Sequence, residues 1–212
     1  MKVLVACEVS GVIREAFRKR GHSAWSCDIR PCEDGSNYHL QADAREVILA
    51  PANLQSQGPI GAIWGGLLYW DLIIMHPPCQ CLCVSGNAHY ARGKPRHSER
   101  IAAIEWTMAL WELATAHAPM ACMENPVGTL PIKATQYVQP YEFGHNESKR
   151  TGLWLHGLPP LQATKFVPMP RCGYRSNQTP SGQNKLGPSV DRSQKRARSY
   201  QGVADAMSTQ WG

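Results

Sequence analysis

Nowhere does this chain hold the roughly eighteen consecutive apolar residues of a bilayer-crossing helix, so no helical membrane span is expected. Cys-x-x-Cys is absent as well. Structural zinc sites place cysteines in such pairs and close with a second pair, so the cluster Cys79-Gln80-Cys81-Leu82-Cys83 is not expected to hold a metal. The chain also lacks G-x-G-x-x-G, which disfavours a dinucleotide whose pyrophosphate needs a glycine-rich turn. No internal repeat is present, which argues against a solenoid. Acidic residues are scarce between His145 and Tyr200, where Glu147 and Asp191 stand against ten Lys/Arg. That segment carries +8 of a chain whose net charge is +6, leaving −2 elsewhere. A basic block beside a near-neutral body points to a polyanionic partner.

At 212 residues the chain suffices for one well-cored domain, and its 43% hydrophobic content is that of a globular protein. The first apolar run, Val3 to Cys7, gives way to Glu8 too early for a signal peptide, so a cytoplasmic protein is expected. Its eight cysteines would then be free thiols, with Cys7, Cys27 and Cys122 as small buried hydrophobes inside apolar runs.

Periodicity lays out an alternation of strands and helices. Val3–Ala6 predicts a buried strand, Ser10–Arg20 a helix closed by Gly21, and Ser23–Ile29 a second strand. A third short element ends near Asp43-Ala44, and the Pro/Gly/Gln-rich stretch 51–66 is expected to be loop. Leu72–Met75 is a continuous apolar run, as in a parallel strand covered on both faces. Ser98 is placed to cap a helix from Glu99 to about His117, with Ile101, Ile104, Met108, Trp111 and Leu113 near its inner face. Pro119–Met123 and Lys149–Leu155 predict further strands, and Val203–Trp211 a closing helix. The pattern is that of an α/β open sheet, in which ligands gather beyond the carboxyl ends of the strands. Glu8-Val9-Ser10-Gly11, Asp28, Asp43, Pro78-Cys79 and Glu124-Asn125 all fall at such ends.

A strand, a turn with Ser10-Gly11, a helix and a strand ending in an acid form the layout of a nucleoside-binding site. Glu8 in the turn suits a cationic ligand without phosphate, which favours S-adenosylmethionine. Asp28 is positioned for ribose hydroxyls and Asp43 for an adenine amine, with Ile29 and Ala44 beside them. Cys79 follows two prolines that fix its backbone, and a thiolate is the strongest side-chain nucleophile near neutral pH. Glu124, 45 residues later at the next apolar strand end, is expected to be partly desolvated. Desolvation raises a carboxyl pKa and suits proton donation to a ring nitrogen.

Pro77-Pro78-Cys79-Gln80 with Ser85-Gly86 downstream, followed by Met123-Glu124-Asn125, resembles the paired signature motifs of the cytosine-C5 DNA methyltransferases. Glu8-Val9-Ser10-Gly11 is similar to that family's cofactor motif, with Asp28 and Asp43 at its later acidic positions. The runs Glu147–Leu155 and Tyr200–Met207 resemble its short, phage-type members. The resemblance spans about Val3 to Trp211 and implies a Rossmann-like S-adenosylmethionine-dependent methyltransferase sheet. It further implies attack of Cys79 on C6 of a flipped cytosine in double-stranded DNA, with Glu124 at N3 and the exocyclic amine. Lys149 or Arg150 would stand near the pyrimidine O2 and phosphate. Pro78 and Gly202 would pack beside the cofactor. Ser85–Arg96 would be a flexible, cationic loop closing over the base, bringing Gln80, Ser85, Arg92, Lys94 and Arg96 to the nucleic acid.

By this resemblance the catalytic domain covers 1–155, and 201–212 is a helix returning to it. Only 156–200 remain for target recognition, with Arg171, Arg175, Lys185, Arg196 and Arg198 to hold phosphates. So small a region predicts weak sequence specificity. A chain acting as monomer or weak dimer is expected, in a host cytoplasm if phage-encoded. Two other classes fit the same residues: a methyltransferase of free cytidine nucleotides, and a non-catalytic basic nucleic-acid-binding protein.

Overall fold

The structure, a computed structural model, describes residues 1–49, 69–187, 189 and 192–212. The expected loop at 51–66 lies outside the described residues. In chain order the elements are β1 (Lys2–Ala6), α1 (Val12–Lys19), β2 (Ser23–Asp28), β3 (His39–Gln41) and α2 (Ala44–Leu49). There follow β4 (Leu72–Met75), α3 (Asn87–Tyr90), α4 (His97–His117), β5 (Met120–Pro126), β6 (Gln136–Val138) and β7 (Thr151–His156). Two helices close the chain, α5 (Arg192–Ala197) and α6 (Gln201–Gln210).

The strands form one seven-stranded sheet in the order β3-β2-β1-β4-β5-β7-β6. β1 to β5 are parallel, whereas β7 runs antiparallel to both β5 and β6. The mixed α/β architecture is compatible with a Rossmann-like fold. From β1 the chain winds outward through β2 and β3, then returns to place β4 on the other side. The β1/β4 boundary is therefore a switch point, where a crevice opens beyond the strand ends.

Alternation along the central strands feeds two cores. Val3, Val5, Leu72, Ile74, Cys122 and Leu153 face Ile13 and Phe17 of α1 and Ala204 and Met207 of α6. Leu4, Ala6, Ile73, Met75, Ala121 and Met123 face the other way, against Val47 and Ile48 of α2 and Leu110 and Ala114 of α4. Every residue of β4 is buried, as a strand covered on both faces requires. Arg14 of α1 has no exposed surface; it donates to Ser26 Oγ at 2.8 Å and pairs with Asp34, tying α1 to β2 and the loop beyond it.

Four local expectations need correcting. α4 starts at His97 behind Arg96, and Ser98 lies within its first turn and does not cap it. Its buried residues are Arg100, Thr107, Leu110 and Ala114, while Ile101 is 43% exposed. Apolar residues occur all around this helix, so periodicity did not single out the face. Thr107 and Ala114 are small enough to sit close against the sheet. Ser85–Arg96 is in part regular, with a 3-10 turn at Val84–Gly86 running into α3. Cys7 is half-buried, not a core residue, and is the only non-glycine among the described residues with positive φ, at 60°.

Substituting Ile74→Ala is expected to cost about 2–5 kcal/mol through the cavity left between the layers. Ile101→Ala should stay within about 0.5 kcal/mol. Chemical denaturation of the two variants measures both, and equal losses would contradict the assigned face of α4.

Candidate active site

Beyond Ala6 the chain turns through Cys7 and presents Glu8 to the amino end of α1. The Glu8 carboxylate accepts from the Ile13 amide at 2.8 Å and the Arg14 amide at 3.3 Å. It thereby caps a helix whose own N-cap, Gly11, offers no side chain and adopts φ 69°. Burial raises the Glu8 pKa, opposed by the nearby His76 and by these two amides. Asp28, ending β2, accepts from the Arg30 amide at 2.9 Å. Asp43, ahead of α2, accepts from the Arg45 amide at 2.8 Å and pairs with its guanidinium at 2.6 Å.

β4 and β5 set the second half of the site. Met75 pairs with Met123, so the next residues, His76 and Glu124, stand side by side. His76 Nδ1 lies 3.0 Å from Glu124 Oε2. One residue on, the buried Asn125 donates to the Pro77 carbonyl at 3.2 Å. The Glu-Asn pair thus uses successive side chains on opposite faces, one turned to the site and one locking the Pro77-Pro78 segment that carries Cys79. Past Cys79 the chain makes a turn, with the amides of Leu82 and Cys83 donating to its carbonyl at 3.1 and 3.0 Å. Arg100, a buried arginine on α4, holds that turn through the carbonyls of Cys81 at 2.6 Å and Cys83 at 3.3 Å.

These strand ends enclose a cavity of about 300 Å³. Glu8, Val9, Ser10, Asp28, Ile29, Asp43, Ala44 and Pro78 all line it, and so do Cys79, Glu124 and Lys149. Gly11 is not among the lining residues; its role is the left-handed turn into α1. Gly202 lies apart, donating its amide to His145 Nε2 at 3.0 Å where a Cβ would collide with the Phe143 carbonyl. His76, Arg30, Glu33 and Trp106 line the cavity too, and sequence reasoning did not single them out as site residues. His76 adjoins the Pro-Pro-Cys motif and was legible by position; Trp106, in mid-helix, carried no local signal.

Lys149 and Arg150 part company. Lys149 Nζ lies 4.0 Å from Glu124 Oε1, whereas the Arg150 guanidinium sits over the Tyr137 ring, 4.2 Å from its centroid. Arg150 lines instead a wider groove of about 890 Å³ that shares Cys79, Gln80 and Lys149 with the cavity. Ser85, Lys185, Lys195, Arg196 and Arg198 also border this groove. Arg198 bonds Glu33 at 2.6 Å across the shared rim. Arg92, Lys94 and Arg171 are exposed outside it, as is Arg96, which pairs with Glu99 at 2.7 Å. Arg175 is 3% exposed and donates to the carbonyls of Val167 and Pro168, both at 2.9 Å. It braces the 167–175 turn and is withdrawn from any polyanion.

The electrostatics correct one expectation. Burial does push the Glu124 carboxyl up, but Lys149, His76 and Thr151 outweigh it and bring the pKa down to about 2. Glu124 is therefore a carboxylate at rest. The Cys79 thiol is raised, by burial first and by Cys83 and Glu124; Lys149 and Arg196 oppose the rise. The resting site thus pairs a protonated thiol with an ionised acid. Among the described residues no three His, Cys, Asp or Glu side chains gather as a metal ion would need, and no helix is long and apolar enough to cross a membrane.

Comparison with protein-family models and with curated proteins gives no significant match to this chain.

Two measurements check these charges. Glu124, lowered on folding, stabilises the protein above the ordinary carboxylate range near 4.3. That contribution is lost as pH falls toward about 2. Glu124→Gln should accordingly flatten the acid limb of a stability-versus-pH curve, and an unchanged limb would contradict the pairing. Alkylation of Cys79 should have its inflection above that of an open thiol; the same variant should move it down and Lys149→Met up.

Proposed function

We propose that this protein transfers a methyl group from S-adenosylmethionine to C5 of cytosine in DNA, with Cys79 as nucleophile. One observation carries the reading: a thiol and a carboxylate from different strands line one cavity at the switch point, with a lysine ammonium 4.0 Å from the acid.

The residues present suit the cofactor. A cavity of about 300 Å³ lies at the lower end of small-molecule sites. Glu8 and the acids Asp28 and Asp43 supply negative charge and acceptors, while Ile29 and Trp106 supply apolar surface for a purine. S-adenosylmethionine supplies the electrophilic methyl group when bound. No phosphate-binding turn is needed for it, in keeping with a first turn filled by Glu8.

Chemistry then follows from the chain's own groups. Cys79 sulfur adds to C6 of the cytosine, which makes C5 nucleophilic. Once C5 carries the methyl group, a base takes the C5 proton and the C6–S bond breaks to free the thiolate. Glu124 accepts from the exocyclic amine, a hydrogen bond that uracil, with a carbonyl there, does not offer. Lys149, which unlike Arg150 stands beside Glu124, is the cation for the pyrimidine O2 side. Lys149 and Arg196 oppose the rise that burial imposes on the Cys79 thiol and so favour its thiolate. Extruding the base costs a few kcal/mol, recovered in the pocket.

The groove supports a polymer over a free nucleotide. Lys149, Arg150, Lys185, Arg196 and Arg198 border about 890 Å³ that opens beside Cys79. That is more basic lining than one phosphate needs, and apart from the short helix α5 it is built from irregular chain that offers little rigid surface to base edges. Low sequence specificity follows.

Incubation with S-adenosylmethionine and an oligonucleotide carrying 5-fluorocytosine should trap the protein covalently, because fluorine blocks the closing elimination. Cys79→Ser should form no adduct; an adduct in that variant would overturn the nucleophile assignment. Oligonucleotide affinity should fall steeply with added salt. A flat salt response would favour the free-nucleotide substrate. Neutralising Arg196 and Arg198 together should weaken binding about equally across sequences.

A further inference from the structure

We infer that His76 is the positioning residue that gives Glu124 the proton it delivers to cytosine N3. This inference rests on the methyltransferase reading and adds to it a residue outside the Cys79–Glu124 pair. Three observations carry it. His76 leaves β4 with its amide on the Ala6 carbonyl at 2.9 Å, and Pro77 behind it restricts it to extended backbone. The β4–β5 register then puts its Nδ1 3.0 Å from Glu124 Oε2. Its side chain is only 10% exposed, so the pair is largely withdrawn from water.

The proton inventory then decides what the pair does. Glu124 rests as a carboxylate and has no proton to give, whereas sulfur addition at C6 drives ring electrons through C4 onto N3. The groups facing the imidazole are Glu124 from β5, Glu8 from the β1–α1 turn, Lys149 ahead of β7, Cys79, and Tyr200 ahead of α6. Tyr200 is occupied, donating to Glu147 at 2.6 Å, and its pKa is raised, chiefly by burial. Glu8 already accepts two helix amides. Lys149 lies 4.0 Å from the other carboxylate oxygen and is the counter-charge. Among the described residues, an imidazole protonated at Nδ1 is the one group at hydrogen-bond distance from Glu124 Oε2 that can pass a proton on.

As the C6–S bond forms, N3 takes a proton from the Glu124 carboxyl while Nδ1 of His76 gives its proton to that carboxyl. The imidazole ends neutral and Glu124 ends as it began. After methyl transfer a base takes the C5 proton, the C6–S bond breaks and N3 returns its proton by the same route, so the net proton released is the one from C5.

The test is the rate of 5-fluorocytosine adduct formation against pH, in single turnover with S-adenosylmethionine, for the wild type, His76→Asn and His76→Gln. Asn keeps an N–H donor toward Glu124 but cannot release a proton, and Gln is the second isostere. The wild type should give a bell, rising as the thiol ionises and falling as the imidazolium is lost. At saturating S-adenosylmethionine both variants should be slower by roughly a hundredfold and lose the alkaline limb. Variants within twofold of the wild type, or slowed variants that keep the alkaline limb, would overturn the inference. A wild type that forms no adduct at any pH would instead sink the methyltransferase reading itself.

Discussion

Ile74 lies between Val5 of β1 and Cys122 of β5, and that register decides where everything else in the site stands. Parallel strands begin and end together, so three carboxyl ends reach one rim: Glu8 past β1, His76 to Cys79 past β4, and Glu124 on β5. A slip by one residue would send Glu124 to the face of Met123 and put Asn125 in its place. Both neighbouring ladders are buried on both faces, which makes such a slip costly.

The same rim concentrates charge that burial would otherwise forbid. Glu124 stays ionised because a lysine and an imidazole stand on its two oxygens. Glu8 is satisfied differently, by the free amides of a helix. Two buried carboxylates on one cavity thus have opposite pKa directions, Glu8 raised and Glu124 lowered. The balance of partners sets the difference: His76, two amides and Arg14 leave burial dominant over Glu8, while Lys149, His76 and Thr151 outweigh it over Glu124. Sites that run acid and base chemistry together depend on such separation.

Arginines show how composition misleads and where it serves. Ten Lys/Arg between His145 and Tyr200 signalled a basic face, and five of them border the groove together with Lys149. Arg175 was counted with them but is spent on backbone carbonyls, and Arg100, on a helix surface by spacing, is buried to hold the turn after Cys79. Charge counts sum over residues. They do not register which guanidinium is enclosed, since that depends on carbonyls brought near by distant chain.

The motifs at the strand ends, the α/β alternation and the run Leu72–Met75 were legible because strand ends and apolar runs are local properties. Cys79 and Glu124 could be named from sequence alone, as could the acids Asp28 and Asp43. Distances and states could not. That Lys149 and not Arg150 meets Glu124, that the carboxyl is lowered where desolvation alone predicts a rise, that His76 fills the gap, and that Trp106 joins the cavity all depend on neighbours remote in the chain. Local propensity fixed which residues end strands; only the packed sheet, by choosing each end's neighbours, decided their protonation and partners.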